Sequence, residues 1–525
     1  MKRCPECGRE YDNTMMFCLD DGAELLYGPA IMDEPATAIL SHPGSSGISP
    51  NNANTAIFQK PSESQLVNSN SIAVLPFTNI SADADNEYFC DGLAEELLNA
   101  LAKIGDLKVA ARASAFSFKE KKSDIGEIGR RLGVATVLDG SVRKSGDRLR
   151  IAVQLLSASD GYHLWSETYD REMRDIFDVQ DEITLSVIDA LKLKLFGNTK
   201  SSVLRHETEN TEAYEAYLKG RYLRYAKNDH HGASLAYEEA VRLDPLHAPS
   251  WLGVAETYVL RSHYALIDPR EACSRAKAAV ATARELQGES AEALYIQGFA
   301  AFIERDWPAC DRAYRKAIEL EPNNSRALGT FGVINCVRGN VDEALAIFAR
   351  ARDADPLAAY PYAMTGTGLV AARRLEESLP FFKRAFAFEN DQTLALWTYS
   401  VANIALGNFD EGVAAAERSV VVSRRSGFFL GLLGWSLATA GRTKEANTIL
   451  AEIRGRPPGS PSLVFEACLL GALKEKNAAF DVLSRSADEL APLVSYVGLP
   501  CFDSLRDDPR FAAFSQLIGV PITNL

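Results

Sequence analysis

Cys4, Cys7, Cys18 and Asp21 are the residues of this 525-residue chain whose types and spacing could do chemistry at a metal. The chain opens MKRCPECGREYDNTMMFCLDDGAELL, in which Cys4 and Cys7 share one turn and Cys18 returns in a second. A thiolate pair two residues apart suits tetrahedral Zn²⁺, because a tight turn, helped here by Gly8, aims both sulfurs at one point. Asp21 stands where a second cysteine pair would be completed, so the expected ligand set is Cys4, Cys7, Cys18 and Asp21, holding one structural zinc. With every ligand position taken by protein, such a piece is an adaptor and not a catalyst. The alternative is a metal-free hairpin around Tyr11, Phe17 and Leu19, which would need support from elsewhere because so short a segment buries little apolar surface. The other six cysteines are scattered without disulfide-like spacing.

No other group of residues forms a catalytic constellation. Asp91, Glu95 and Glu96 cluster at an expected helix start, where the helix dipole favours carboxylates, so they read as a solvated first turn. Gly366-Thr367-Gly368 with Ala371 imitates a dinucleotide fingerprint, but that motif needs a preceding strand and Gly366 lies inside a helix. No GxxxxGK[ST] stretch occurs. His230-His231 reads as a turn between two helices.

The elements that must carry any function show themselves by repetition. Gly298, Gly332, Gly366 and Gly434 stand on one spacing of 34 residues, with Ser400 at the missing node. Cys310, Ala344, Ser378, Gly412 and Ala446 repeat a small position in phase, Tyr314, Phe348 and Phe382 a bulky one, and Ala317, Ala351 and Ala385 a third. Pro322 and Pro356 close two of the second helices. This period is that of the tetratricopeptide helix–turn–helix repeat, which the chain resembles from about residue 205 to 525 in seven or eight units, ending in a helix near Pro509 to Ile518. The concave face of such a superhelix is lined by first helices, which here would present Tyr295, Phe299, Phe302, Tyr360, Val370, Leu394 and Trp397. An aromatic groove suits a protein or peptide partner, and Tyr295, Phe299, Phe302, Tyr360 and Trp397 are the expected contacts. Trp307 and Phe409 read as core.

Between the first segment and the repeats, residues 27–70 are rich in Pro, Ser, Asn and Gly and read as a flexible linker. Two echoes in it, Thr37-Ala38-Ile39 and Thr55-Ala56-Ile57, read as chance similarity; phosphorylation read by an arginine-lined pocket is the other reading. Residues 71–197 alternate apolar strands with amphipathic helices. Strands are expected at 72–77, 107–116, 134–142 and 149–156 and helices at 91–104, 125–132 and 176–195, with Leu164, Trp165 and Tyr169 capping the core and helices on one face of a mixed sheet. The stretches IAVLPF, FCDGLAEELLNAL, LKVAARASAFSFK, IGRRLGVATVLDGSVRK and RLRIAVQLLSASDGYHLWSETYDR resemble the module related to the amino-terminal domain of TolB. That module precedes tetratricopeptide repeats in bacterial proteins, including class III cyclase homologues and regulators of the CadC kind. The resemblance implies an interaction or sensing unit and brings no catalytic signature; cyclase chemistry would require a further domain with two metal-binding aspartates.

The net charge of −14 is spread along the chain without a basic block longer than Lys119 to Lys122, which argues against a nucleic-acid partner. No apolar window long enough to span a membrane and no signal peptide occurs, so a cytoplasmic location is expected. The fold class expected is multidomain: a zinc-ribbon-like hairpin at 1–26, a linker at 27–70, an α/β module at 71–197 and an all-α tetratricopeptide superhelical solenoid at 205–525. The function expected is a non-catalytic scaffold that binds protein or peptide partners. The alternative is a regulatory protein whose α/β module senses a small molecule and whose solenoid relays the signal.

Overall fold

The computed structural model describes residues 2–3, 10–11, 26–27, 70–119, 123–193, 208–456, 462–491 and 493–520. It divides into two compact units, residues 1–64 and 65–525. In the first, strand β1 (Lys2–Arg3) pairs antiparallel with β2 (Glu10–Tyr11) and β3 (Leu26–Tyr27). Cys4, Cys7, Cys18 and Asp21 and the linker threonines Thr37 and Thr55 lie outside the described residues.

The second unit begins with a mixed sheet in the order β6-β4-β7-β8-β9, formed by β4 (Ser71–Val74), β6 (Lys108–Val109), β7 (Thr136–Ser145), β8 (Arg148–Ser157) and β9 (His163–Glu172). β4 lies parallel to both β6 and β7, whereas β7, β8 and β9 form an antiparallel meander. A short strand, β5 (Thr78–Asn79), also runs parallel to β7. Helices α1 (Glu87–Ala102) and α4 (Ile176–Ala190) share a core with Ile72, Val74, Leu138, Ile151 and Val153. The alternate residues Ala73, Leu75 and Val137 bury against Phe118, which follows the short helix α2 (Arg112–Phe116), and against Ile128 of α3 (Ile125–Leu132). Helices therefore cover both faces where one was expected, because a strand with parallel neighbours on each side has no solvated face. The expected strand at 107–116 is cut to two residues: its Ala-Arg-Ala-Ser-Ala run lacks β-branched alternation and turns into α2. Leu164, Trp165 and Tyr169 belong to the edge strand β9, with Tyr169 buried and Leu164 exposed.

From residue 211 the chain is a solenoid of eight described helix pairs, running from Thr211–Tyr225 with His230–Leu243 to Leu463–Ala472 with Lys476–Asp488, followed by Pro509–Ile518. The glycine nodes explain its regularity. A Cβ placed on Gly298 would lie 2.7 Å from the Tyr314 ring, one on Gly332 2.4 Å from Phe348 and one on Gly366 2.6 Å from Phe382. These three first helices thus seat their bare backbone on the aromatic ring of their own partner, whereas a Cβ on Gly434 would meet Leu469 of the next pair at 2.7 Å. Ser400 keeps the contact differently, donating from Oγ to Gly412 O at 2.7 Å. The turn inside each pair repeats as well: Arg305, Gly339, Arg373, Gly407 and Gly441 all have left-handed φ, at 63°, 85°, 60°, 81° and 81°.

This stacking winds so tightly that first helices meet across the lumen. Tyr264, just past the helix Ala248–His263, lies edge-on to Phe428 at 5.7 Å and stacks on Phe429 at 6.1 Å. Asn228 Nδ2 donates to Thr393 Oγ1 at 3.3 Å, and Arg305 Nη2 to Ala487 O at 2.9 Å. Leu493, Val494, Tyr496, Val497 and Leu499, beyond the last pair, are buried, and Tyr496 lies edge-on to Phe302 at 5.8 Å.

Gly332→Ala tests the seating contact. Phe348 is fully buried and cannot yield, so overpacking outweighs the roughly 1 kcal/mol that alanine gains in helix propensity. A net loss of about 1–2 kcal/mol is expected, read as a lowered Tm in thermal unfolding; an unchanged or raised Tm would refute the contact.

Candidate functional site

Of the expected groove residues, Tyr295, Phe299, Phe302 and Trp397 are buried within the chain itself. Phe299 packs on the His263 ring at 5.4 Å, Phe302 on Trp307 at 5.8 Å, and Trp397 edge-on to Phe428 at 5.9 Å and Phe465 at 6.2 Å. Val370 is buried too, and Tyr360 is half-buried with its hydroxyl 2.7 Å from that of Thr330. The lumen is too narrow to leave these side chains as a free aromatic wall. Phe409, expected in the core, is 42% exposed, and Trp307 is half-buried. His230 opens a helix and is buried, its ring stacked on Tyr264 at 5.4 Å; only His231 is exposed. Burial pushes the His230 imidazole down to about 3, so it is neutral.

Polar side chains gather where the α/β module meets the first repeats. Asp91 and Glu95 of α1 are buried, not solvated as expected. Asp91 accepts from Lys119 Nζ at 2.6 Å. Glu95 Oε1 receives Arg112 Nε of α2 at 2.7 Å and also Arg221 Nη2 from the first solenoid helix. Against the desolvation that would raise it, these two guanidiniums hold the Glu95 carboxyl below the ordinary glutamate value.

A second centre follows in the next repeats. Glu256 is buried and receives Arg326 Nη2, Arg224 Nη2 at 3.3 Å and Tyr225 OH at 3.2 Å. Desolvation opposes its ionisation, but Arg326 and Arg224 pull its carboxyl down to about 2. Arg326 Nη1 donates to Tyr225 OH at 2.8 Å, and Arg221 Nη1 to Tyr217 OH at 2.7 Å. Four guanidiniums converge on the Tyr225 ring: Arg224 at 5.0 Å, Arg326 at 5.2 Å, Arg112 at 5.3 Å and Arg221 at 5.6 Å from its centroid. Glu292 is exposed at its surface, but desolvation by the surrounding protein, with Glu256 nearby, raises its carboxyl to about 7.

Further contacts fix the module on the solenoid. Ser114 N donates to Asp355 Oδ1 at 3.1 Å and its Oγ donates to the same carboxylate, while Leu357 N donates to Ser114 Oγ at 3.1 Å. The Leu357 side chain enters the module's second core. Lys144 pairs with Glu215, Gln180 Nε2 donates to Tyr214 OH at 2.5 Å, and a Cβ on Gly92 would lie 2.6 Å from Leu218. The residues that build this junction escaped the sequence reading, although Arg-Tyr-Leu-Arg-Tyr at 221–225 places arginine and tyrosine three to four apart on one helix face.

Residues 68–186 match the family model described as "HilA/YgeH-like transcriptional regulator, second domain". "Putative adenylate cyclase 3" of Rhizobium meliloti (strain 1021) is 43% identical over 151 residues, 29% of this chain and 26% of that protein. The chain therefore spans about a quarter of the length of that curated relative. Among solved structures, YrrB, described as a TPR protein with an unusual peptide-binding site, is 25% identical with a TM-score of 0.23, covering 36% of this chain and 92% of its own. MamA is 24% identical with a TM-score of 0.24, covering 33% and 94%. PilW, described as a widely conserved type IV pilus biogenesis factor, is 15% identical with a TM-score of 0.27, covering 46% and 93%. At such scores the superpositions carry no weight; the repeat architecture rests on the helix pairs and their spacing.

The two glutamates give opposite pH signatures. Glu256, lowered in the fold, stabilises above its ordinary value of 4.5, and that contribution is lost as pH falls from 4.5 towards 2. Glu292, raised in the fold, stabilises below 4.5, and its contribution is lost as pH rises from 4.5 through 7. Glu256→Gln is expected to cost roughly 2–4 kcal/mol at pH 7, less than for a fully enclosed pair because Arg326 keeps 30% of its side chain exposed. Glu292→Gln is expected to raise Tm at pH 8 and leave it unchanged at pH 4. Thermal and urea unfolding of wild type and both variants from about pH 2 to 8 measure each outcome, and equal pH profiles for wild type and variants would overturn the assignment.

Proposed function

We propose that this chain is a non-catalytic protein–protein interaction scaffold, in which the solenoid holds its own α/β module on its inner wall and offers its remaining surface to protein or peptide partners. The observation that carries the reading is the junction itself: Glu95 on Arg221, Ser114 on Asp355, and Leu357 in the module's second core make the first repeats a receptor for a folded surface. No helix among the described residues is long and apolar enough to cross a membrane. The related relative named as a cyclase shares only the part of its length that aligns here, and cyclase activity is not part of the proposal.

Partner contact is assigned to the lumen around Tyr360, the one half-buried member of the expected aromatic set. The full chain and its Tyr360→Ala variant, both shown folded by circular dichroism, serve as baits in native extract, with Leu246→Ala on an exposed side chain as control. One partner is expected on wild type and control and at least tenfold less on Tyr360→Ala, followed by binary titration with that purified partner. Identical capture on all three baits, or no binary binding, would sink the reading. The first segment is proposed to carry one structural zinc on Cys4, Cys7, Cys18 and Asp21. Elemental analysis of the purified full chain should give close to one zinc per chain, falling below a tenth on Cys4→Ser; a metal-free wild type would establish the plain hairpin.

A further inference from the structure

The scaffold reading leaves the arginine cluster around Tyr225 unexplained. Arg112, Arg221, Arg224 and Arg326 carry four positive charges, and two buried carboxylates, Glu95 and Glu256, receive them by ion pairing. Glu292 is exposed and makes no ion pair to any of the four. Arg326 opposes the charge on Arg224, but Glu256 outweighs it and keeps the Arg224 guanidinium above its ordinary value despite burial. Donors also exceed acceptors. The Nε atoms of Arg221 and Arg224 are enclosed and have no hydrogen-bond acceptor. Buried donors without an acceptor cost free energy.

We propose that this cluster binds a phosphoryl anion, free or borne by a small molecule, at the junction of module and solenoid. Four guanidiniums outnumber the carboxylates paired with them, and the resulting positive charge suits a phosphate monoester, which carries about −1.5 to −2 near pH 7. Guanidinium forks match phosphoryl oxygens bidentately, and Arg presents five donors in one plane. The four side chains are 13–30% exposed, so their free edges reach the lumen water while their stems stay packed on tyrosine. The site is walled by Glu95 and Arg112 of the module on one side and by successive first helices, carrying Arg221, Glu256, Tyr295 and Arg326, on the other. Because Arg112 belongs to the module and the other three arginines to the solenoid, the bound anion would tie one to the other.

The proposal stands apart from partner capture and is measured without a partner. The full chain is titrated calorimetrically at pH 7.5 and low salt with inorganic phosphate and with glycerol 3-phosphate, each against sodium chloride of equal ionic strength. Saturable one-site binding is expected for at least one of the two; which binds more tightly tells whether the free or the carried phosphoryl group is the ligand. Arg224→Gln and Arg326→Gln are each expected to weaken it at least tenfold, the loss of one charge-assisted hydrogen bond. No heat beyond the chloride control, or undiminished affinity in folded variants, overturns the site. A second measurement needs no variant. In the wild type, phosphate should slow phenylglyoxal modification of Arg224 and Arg326 at least several-fold, read by peptide mass, while Arg242 on the outer surface reacts unchanged. Equal rates with and without phosphate overturn the proposal.

Discussion

The close approach of first helices to an aromatic ring of their partner, at Gly298, Gly332 and Gly366, is the constraint from which the larger structure follows. Gly298, Gly332 and Gly366 remove the side chain that would hold the two helices apart, and Tyr314, Phe348 and Phe382 fill the space. Close pairs stack with a small, repeated rotation, and repetition over eight pairs brings distant first helices face to face. The aromatic residues of those inner faces then find one another. Tyr264 reaches Phe428 and Phe302 reaches Tyr496, so what would be a wide groove in a looser array becomes a second core. Burial of such large rings yields far more than leaving them for a partner, at about 25 cal/mol per Å² of apolar surface.

The same geometry explains what was legible in the sequence. The rows of small and bulky residues report contacts within one repeat, between residues some 16 positions apart, and periodicity exposes them. The fate of Tyr295, Phe299, Phe302 and Trp397 depends on superhelical pitch, which no single repeat encodes. Contacts such as Asn228 to Thr393 join residues 165 positions apart. Asp91 and Glu95 show a second kind of limit. Carboxylates early in a helix are ordinarily solvated there, and only Arg112 and Arg221, the latter 126 residues away, give Glu95 a buried role. Within the α/β module, alternation revealed β8 readily, whereas the two-faced burial of β4 followed from parallel neighbours that its own four residues do not announce. The cysteine segment was the clearest chemical signal in the sequence and lies outside the described residues.

Ion pairs at the junction set orientation more than they add stability. Removing Glu95 and its arginines from water costs several kcal/mol per ion, and their attraction returns little more than that. What the pairs do is penalise every other placement of the module, since a shift would strand Glu95, Asp355 or Lys144 without its partner. The apolar seam formed by Leu357 and the module's second core supplies adhesion, and the charges supply register.

The left-handed turns inside the pairs carry a further consequence. Of the five from Arg305 to Gly441, three use glycine, for which that backbone is free, but Arg305 and Arg373 occupy it at a cost of about 1–2 kcal/mol each. Both arginines spend their side chains on the end of the chain: Arg305 donates to Ala487 O, and Arg373 to Asp503 Oδ1 at 2.7 Å and Gly498 O at 3.4 Å. An array built from interchangeable units normally tolerates gain or loss of one unit, because each touches only its neighbours. Here a unit added or removed between Arg373 and Ala487 would keep every local contact and still carry the chain end away from both arginines. The fold thereby fixes the number of repeats between these contacts.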